Sequence, residues 1–467
     1  MAGALLSSPT FSLQPSGKQV ATASNYLGSA SFDFMNQYLP EIYEQEFEKY
    51  GNRTVSSFLR LVSAELPFTS DLIKWTEQGR LHTKYVSVGT AASATDDTAI
   101  FQVNDSITSG IAIRKGQTVL VSQNDGSGSN KGIVTNVDLQ NDQFTVAFYE
   151  AGGLVTAGTG LGNADVTVMI YGSEFAKGDA AMAGKIESET EIFDVKPIII
   201  KDHYDVNGSD MAQIGWVEVT MEDGGAGYLW YLKSAGETRL RFEDYMETSV
   251  VEAVPAEAGS GAISTVEGTD GMLYAIEQGG NVWSGGNPNT LSEFDAIVKR
   301  LDKQGAIEEN VFFNNREFGF DIDDMLAAQN SYGAGGTSFG LFQNDEKMAL
   351  NLGFTGFRRG YDFYKNDWKY LNDASMRGDL PSDNVNAVMV PAGTKTVYDQ
   401  VLGKNATRPF LHVRYRKSET EDRRYKTWTH GGAGGNETDG TDVMNVEFLT
   451  ERALCTMGRN NFLLVKE

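Results

Sequence analysis

The segment AGYLWYLKSAGETRLRFEDYMETSVVEA, residues 226–253, carries a helix pattern about twice the usual length, in a chain otherwise dominated by short strand patterns. Apolar and small side chains recur there at alternating steps of three and four, which predicts one amphipathic helix. They are Tyr228, Leu232, Ala235, Phe242, Met246 and Ala253, interrupted by Arg239 and Ser249. At about 1.5 Å per residue the helix would span roughly 40 Å. A helix of this length is typical of a protein with a mechanical role. The alternative interpretation is an ordinary helix of the core.

Composition bounds the class of protein. The chain has 467 residues, of which 40% are hydrophobic, so two or three cores can be filled. It carries 63 acidic and 39 basic residues, a net charge of -24 that is scattered along the sequence. Because phosphate binding needs clustered Lys and Arg, this charge argues against a nucleic acid as the main direct partner.

The sequence predicts no intramolecular disulfide bond, no transition-metal site and no membrane-spanning segment. A single cysteine, Cys455, excludes an intramolecular disulfide framework and reads as a small buried apolar side chain. Four scattered histidines argue against a transition-metal site. The first residues lack a basic segment followed by an apolar run, and no stretch approaches the roughly 18 apolar residues of a membrane span.

The first half of the chain predicts an arm, short helices and a β module. Residues 1–30 read as an extended arm, and short helices are predicted at 40–51, 54–61 and 71–79. Alternating apolar and polar residues then predict six antiparallel strands, at 85–88, 99–103, 118–121, 132–138, 144–149 and 165–171. Further strands at 194–201 and 215–221 lead into the long helix. The β module is therefore predicted to be an excursion from the body that holds this helix.

The second half alternates helices and strands. A helix is predicted at 290–304, with Thr290 and Glu293 forming a capping box. A strand at 310–313 and a helix at 319–329 follow, and then strands at 338–347 and 350–358 and an aromatic-dense stretch at 361–371. The remaining predictions are a buried strand at 385–390, a charged hairpin of 410–417 with 423–429, and closing strands at 445–450 and 461–465.

No motif in the chain reaches the standard of a chemical site. GTGLGN at 158–163 lacks the Lys-Ser/Thr of a phosphate loop, and HGGAGGNETDG at 430–440 reads as a flexible loop. Two acidic groups could donate oxygens to calcium but fit no calcium loop; they are Asp125 with Ser127 and Ser129, and Asp321 with Asp323 and Asp324. We therefore assign no catalytic, cofactor-binding or metal-binding residue, and expect that the chain is not an enzyme.

The strongest basic patch lies near the C-terminal end. It comprises Arg414, Arg416, Lys417, Arg423, Arg424 and Lys426, interleaved with Tyr415, Tyr425 and Trp428. Alone it would indicate RNA or single-stranded DNA binding. Because Glu419, Glu421 and Asp422 lie at its tip, an intersubunit ion-pair hairpin is the favoured interpretation.

The order of elements and the wording of four segments resemble a known family. The segments are PEIYEQEFEKYGNRTVSSFLRLV (40–62), SDLIKWTEQGRLH (70–82), DNVNAVMVPAGTKTVYD (383–399) and FLTERALCTMGRNNFLLVKE (448–467). The chain resembles the major capsid proteins of tailed bacteriophages, the Hong Kong 97 type of fold, and looks most like those of crAss-like phages. The resemblance covers most of the chain but rests on no diagnostic chemical motif.

The resemblance implies an α+β fold with an N-terminal arm, an extended loop with a β-rich insertion, a peripheral domain with a long spine helix, and an axial domain. The implied ranges are 1–79 for the arm and short helices, 80–204 for the extended loop, 205–255 for the peripheral domain and its spine, 256–440 for the axial domain with its hairpin, and 441–467 for closing strands of the peripheral domain.

The implied function is self-assembly as hexamers and pentamers into the icosahedral virion head, which encloses double-stranded DNA without sequence-specific binding. Implied partners are head auxiliary or decoration proteins, a portal and a scaffolding protein, with no membrane and no cofactor. Two departures stand out: no long charged scaffolding helix precedes the body, and no lysine and asparagine pair for the self-catalysed crosslink of some members is identifiable. The alternative interpretations are a carbohydrate-binding or degrading phage tail or surface protein, and a tail-tube or baseplate component.

Overall fold

The structure is a computed structural model. It describes residues 64–466, except 80, 81, 83, 96, 104–110, 125–127, 152–165, 181, 188, 189, 212–217, 221–225, 258–265, 306, 330–354, 379, 393, 400–403 and 434–439. The predicted arm at 1–30, the helices at 40–51 and 54–61, and the strand at 338–347 lie outside the described residues, as does most of the strand at 350–358.

The elements up to the long helix are mostly strands. In chain order they are β1 (Ala64–Phe68), β2 (Ile73–Gln78), β3 (Lys84–Thr95), β4 (Thr98–Val103), β5 (Gln117–Gln123), β6 (Ser129–Asp138), β7 (Gln143–Phe148), β8 (Val166–Ser173), β9 (Thr190–Val195), β10 (Ile198–Asn207), α1 (Gly208–Met211), β11 (Glu218–Thr220), β12 (Ala226–Tyr228) and α2 (Leu229–Glu252).

The later elements mix helices and strands. They are α3 (Met272–Gly279), β13 (Asn281–Trp283), α4 (Leu291–Gln304), β14 (Glu309–Asn314), α5 (Arg316–Gln329), β15 (Gly356–Arg359), β16 (Tyr361–Asp367), α6 (Lys369–Asn372), β17 (Val385–Pro391), β18 (Thr394–Asp399), β19 (Lys404–Pro409), β20 (Leu411–Arg416), β21 (Lys426–His430), β22 (Val443–Thr456), a 3-10 turn (Arg459–Asn461) and β23 (Leu463–Lys466).

Residues Trp75–Phe193 form one compact unit, and the described residues before and after it form another, called the body here. The strands on both sides of the inserted unit belong to the body, which agrees with the predicted excursion. Within the unit, strands β3–β8 close an antiparallel barrel in the order β3-β4-β7-β6-β5-β8. Its interior is a single apolar cluster that includes Val88, Phe101, Val119 and Phe144. All six strands predicted from alternation are present.

A two-stranded ribbon, β2 with β9, stands apart from the barrel sheet. This corrects the helix predicted at 71–79. The side chains of β2 alternate between half-buried and exposed, the period of a strand. Trp75 stacks on Phe193 with ring centroids 5.9 Å apart, and this contact between two strands competes successfully with a short helix of few apolar residues.

The body contains two sheets. In the five-stranded sheet the order is β1-β20-β22-β10, and β21 also pairs with β22. In the six-stranded sheet the order is β13-β23-β17-β14-β16-β15. Strand β17 is central there, and all seven of its residues are buried, as its apolar run predicted. The closing strands are thus divided, because β22 belongs to the first sheet and β23 to the second.

One apolar cluster belongs to both sheets of the body. It contains Val413 and Leu454 from the five-stranded sheet and Val388 and Leu464 from the six-stranded sheet. Helix α3, which the sequence analysis missed, supplies Met272, Leu273 and Ile276 to this cluster. On the opposite face of the six-stranded sheet, α4 and α5 bury a phenylalanine-rich cluster. The two sheets therefore share a core.

The long helix predicted at 226–253 is confirmed as α2, although residues 226–228 form strand β12 instead of its first turn. Phe242 is fully buried, with its ring centroid 5.6 Å from that of Phe448 on the five-stranded sheet. The buried face then continues through Val250 and Val251, whereas the predicted stripe ended at Ala253, with Ser249 as an interruption. Arg239 is exposed and reaches Glu243 one turn along.

The predicted charged hairpin at 410–429 is wrong. Strands β20 and β21 both run antiparallel to β22, at Leu411↔Thr456 and at Lys426↔Leu449, so they run in the same direction. They are consecutive parts of one strand edge, separated by a loop that a single bridge, Lys417↔Asp422, closes. The physical reason is that β22 is long enough, at 14 residues, to pair with both in turn.

Candidate functional site

The ribbon β2–β9 is the first candidate interaction surface. The indole N–H of Trp75 donates to Glu77 Oε1 at 2.8 Å, which fixes the ring that stacks on Phe193. Ile192, next in sequence to Phe193, is 64% exposed. A two-stranded ribbon is only marginally stable on its own. An isoleucine side chain that stays exposed on it does not contribute the free energy that its burial would give. Burial against a partner would correct both deficits.

Strand β10 is a second candidate surface, at the edge of the five-stranded sheet. It pairs with β22 over ten residues, from Ile198↔Arg452 to Asn207↔Val443. Ile200, Tyr204 and Val206 are buried, whereas Ile199 is exposed on the other face. A strand of this length at a sheet edge presents backbone groups that another chain can pair with. The charged residues Lys201 and Asp202 on this strand make pairing with another chain less favourable.

The basic patch of the sequence analysis is paired with carboxylates inside the chain. Arg416 donates to Glu451 at 2.9 Å, Arg423 lies 2.8 Å from the same carboxylate, and Arg416 also binds Asp71 at 2.5 Å. Two further pairs close the loop between β20 and β21, namely Lys417 with Asp422 at 2.8 Å and Lys426 with Glu421 at 2.6 Å. Arg424 pairs with Glu65.

These ion pairs change the interpretation of the patch. The predicted pairing between subunits is replaced by pairing within one chain, and lysines and arginines already bound to carboxylates are poor phosphate ligands. They surround a cleft of about 450 Å³ lined by Thr69, Ile199, Arg416, Lys417, Ser418, Glu421, Arg423 and Glu451. Because its lining carries both signs of charge, the cleft favours no class of ionic ligand.

A polar network that the sequence analysis missed holds the end of α2. Glu252 Oε1 accepts from Arg377 Nε at 2.6 Å and from the Tyr370 hydroxyl at 2.6 Å. Arg377 continues to Asp383 Oδ2 at 3.0 Å, and Lys466 of β23 donates to Asp383 Oδ1 at 2.6 Å. Burial and the hydrogen bond to Glu252 raise the pKa of Tyr370, so the hydroxyl stays a donor. No sequence spacing joins residues 252, 377 and 466, so only the fold reveals this network.

Two titratable side chains lie buried side by side where β20 pairs with β22. His412 is opposite Cys455, and its Nδ1 lies 3.1 Å from the Pro409 carbonyl oxygen. Burial, with the nearby charges of Arg414 and Arg408, lowers the pKa of His412 to about 4. Burial raises the pKa of the Cys455 thiol to about 12. Cys455 is buried, as predicted, and both groups are neutral at pH 7.

The calcium candidates are not assembled into a site where the structure describes them. Asp321 accepts from Asn287 Nδ2 at 2.7 Å, and Asp323 pairs with Lys365 at 2.5 Å. Residues 125–127 and 158–163 lie outside the described residues, as does most of the 430–440 loop. Over the described ranges, no group of three or more His, Cys, Asp or Glu side chains is arranged to hold a metal ion.

In the part of the chain that the structure describes, no helix is both long and apolar enough to cross a bilayer.

Comparison with known proteins gives distant structural likenesses only. No protein-family model matches this chain. No curated protein matches its sequence. Among solved structures, a chain of Microbacterium phage Oxtober96 is 10% identical with a TM-score of 0.41, over 94% of this chain and 98% of that one.

Two further solved chains are similar to the same degree. A chain of Gordonia phage Cozz is 11% identical with a TM-score of 0.39, over 97% of each chain. A chain from the capsid of an empty GTA particle is 9% identical with a TM-score of 0.39, over 94% of this chain and 99% of that one. Likenesses at this level carry no functional argument, so the function is argued from the chain's own elements.

Proposed function

We propose that this chain is the major capsid protein of a tailed bacteriophage with a Hong Kong 97-like fold, and that its role is structural rather than catalytic. It would assemble as hexamers and pentamers into an icosahedral head that encloses double-stranded DNA. Head auxiliary proteins, a portal and a scaffolding protein would be its partners, and the virion its location. The wording of the four segments quoted above favours the crAss-like group.

The ribbon β2–β9 is the observation that carries the proposal. It has no third strand among the described residues, holds a stacked Trp75–Phe193 pair and exposes Ile192. A subunit that packs its ribbon against a neighbouring subunit covers this surface in every copy of a closed assembly. A monomeric enzyme or binding protein would gain nothing from leaving the ribbon uncovered.

The domain assignment completes the proposal. Residues 80–204 would form the extended loop with its inserted barrel, and 205–255 the peripheral domain with α2 as its spine. Residues 256–440 would form the axial domain, and 441–467 would return to the peripheral domain. Residues 1–79 would contain the N-terminal arm and short helices, of which the arm at 1–30 would reach a neighbouring subunit. The scattered net charge of -24 supports a wall that encloses DNA without adhering to it.

Electron microscopy of the purified full chain tests the proposal. We expect closed shells for the wild type and for Leu139→Asp, which alters an apolar residue as exposed as Ile192 but located in a barrel turn. Ile192→Asp should yield small oligomers or monomers by sedimentation, with an unchanged circular dichroism spectrum. A wild-type chain that stays monomeric under all assembly conditions, or tubes of helical symmetry, would overturn the proposal.

A further inference from the structure

A pair of half-exposed tyrosines lies on the outside of the barrel. Tyr149 follows β7 and is 50% exposed, and Tyr171 in β8 is 49% exposed. Lys131 of β6 and Glu174 after β8 lie beside them. We call these four residues the tyrosine patch. The ribbon and the contacts proposed for shell assembly use none of them.

Tyr149 is held in place by hydrogen bonds at both ends. Its hydroxyl donates to Glu174 Oε2 at 2.5 Å, and its backbone N–H donates to the Lys131 carbonyl oxygen at 3.1 Å. The hydrogen bond to Glu174 is the largest of the influences that raise the pKa of Tyr149 to about 12. The phenol therefore stays protonated and keeps this bond at physiological pH, so the ring is fixed although half of it faces solvent.

Tyr171 lies on the exposed face of β8, like Met169 two residues earlier, at an irregularity of the barrel sheet. The β5–β8 register shifts between Thr118↔Gly172 and Val119↔Ile170, which leaves Tyr171 as an extra residue. Such bulges redirect a side chain and recur beside binding sites. The Lys131 ammonium lies 5.8 Å from the centroid of the Tyr171 ring, within cation–π range. Because Lys131 lies in β6 and strand β5 lies between β6 and β8, this contact spans the width of β5.

Holding two half-exposed tyrosine rings in fixed positions costs free energy, and on a surface that binds no partner nothing offsets this cost. Rigid tyrosines supply large amphipathic contact area at low entropic cost when a ligand binds. The single cation of the patch faces a ring, the carboxylate is bound to a phenol, and the chain is strongly acidic. A nucleic acid or another polyanion would be repelled.

We propose that the tyrosine patch binds a neutral polysaccharide. The apolar C–H faces of successive sugar rings would lie on Tyr149 and Tyr171. The remaining hydrogen-bonding capacity of Glu174 and Lys131 would be directed at sugar hydroxyls, which both donate and accept. This function belongs to the barrel alone and is independent of the proposed shell assembly.

Native electrophoresis of the full chain through gels containing dextran, mannan or starch tests the proposal, with alginate as the anionic comparison. We expect at least one neutral polysaccharide to retard the chain. Tyr149→Ala and Tyr171→Ala should each weaken binding about tenfold. Tyr364→Ala, which removes an equally exposed tyrosine from the body, should leave retardation unchanged. Tyr149→Phe should weaken binding less than Tyr149→Ala, because the ring remains.

A further variant tests whether a loss of binding is caused by a loss of folding. Tyr171→Leu keeps apolar bulk at the bulge but removes the ring, and a variant whose circular dichroism spectrum matches the wild type should still show the loss. The proposal is overturned if no neutral polysaccharide retards the wild type, if alginate alone does, or if the folded Tyr171→Leu variant is retarded like the wild type. Retardation without shells, or shells without retardation, would separate this proposal from that of the capsid.

Discussion

The barrel and the body bury their apolar residues in opposite ways. The barrel pairs strands that are close in sequence, and its closing pair, β3 with β8, joins Lys84 to Met169. The body pairs β1 with β20 and β13 with β23, so that Ala64 lies opposite His412 and Asn281 opposite Leu463. Contacts between such distant residues require long loops to close before they contribute energy. The barrel can therefore fold from its own segment, whereas the body needs both ends of its sequence.

The two regions also differ in what they bury. The barrel core is an apolar cluster, whereas the body buries His412, Arg414, Glu451 and Arg452 beside its apolar clusters. Buried charges are stable only when their partners are in place. The body should accordingly be more sensitive to pH and to the loss of single polar contacts, and the barrel to the loss of apolar volume.

The largest expected effect tests whether the two cores are independent. Phe101→Ala removes a fully buried barrel ring that lies 5.6 Å from Phe144, and should destabilise the barrel by about 3–5 kcal/mol. Hydrogen exchange measured by mass spectrometry should accelerate in β3–β8 but not in β14, β17 or β23. Leu464→Ala should do the reverse and release both body sheets together, since the core that they share contains Leu464. Equal acceleration in both regions for either variant would show one cooperative unit.

Lowering the pH should weaken the body selectively. The folded-state pKa of His412, about 4, lies below the ordinary value of 6.5, so between these pH values the unfolded chain binds a proton that the folded chain does not. Stability should fall as the pH drops through this window, by on the order of 3 kcal/mol, and level off below it.

Urea unfolding monitored at several pH values measures this effect. His412→Gln should flatten the dependence in that window. No histidine occurs in 84–173, so protection of the barrel amides should not follow the same curve. A wild-type body whose stability is constant from pH 6.5 to pH 4 would contradict the prediction.

The network at the end of α2 predicts a smaller loss. Arg377→Lys keeps the charge but cannot bind Glu252 and both acceptors of Asp383 together, and should cost the body about 2 kcal/mol. Arg358→Lys is the matched control, because Arg358 is exposed and, among the described residues, its ion pair is with Asp362, which lies opposite it on β16 at 3.3 Å. This variant should change the free energy of unfolding by less than about 0.5 kcal/mol. Thermal unfolding of both variants compares the two, and equal shifts would refute the role of the network.

The smallest effect concerns a local feature of the body. Thr290 Oγ1 accepts from the Glu293 backbone N–H, and Glu293 reaches back to the Thr290 backbone, which confirms the predicted capping box. Thr290→Ala should cost about 1 kcal/mol, measured by urea unfolding. Thr290→Ser should restore most of it, and if Ser were as damaging as Ala, capping would not be the cause.

The contrast between contacts that are near and contacts that are distant in sequence also explains which elements could be predicted from the sequence. Alternation found all six barrel strands because each is half-buried and pairs with a near neighbour. The capping box of α4 and the buried run of β17 are local signals of the same kind. The mistaken helix at 71–79 lacked such a signal, since its strand state depends on a partner more than 100 residues away, at Phe193.

The candidate surfaces were harder to predict than the elements. The cluster of basic residues at 414–426 was visible, but its carboxylate partners Glu65, Asp71 and Glu451 are distant in sequence. The hairpin prediction failed because adjacent strand patterns are expected to pair, and the length of β22 decided otherwise. The tyrosine patch combines residues of β6 and β8 with the residues that follow β7 and β8, and no sequence pattern shows that these lie together.

Strand β22 also sets the order of events during synthesis. It forms the middle of the five-stranded sheet, between β10 on one side and β20 and β21 on the other, yet the ribosome makes it about 270 residues after the barrel is finished. At ordinary translation rates the nascent chain thus carries a folded barrel for tens of seconds while the body still lacks its central strand. The five-stranded sheet of the body therefore cannot be completed until β22 has left the ribosome, long after the barrel has its full set of strands.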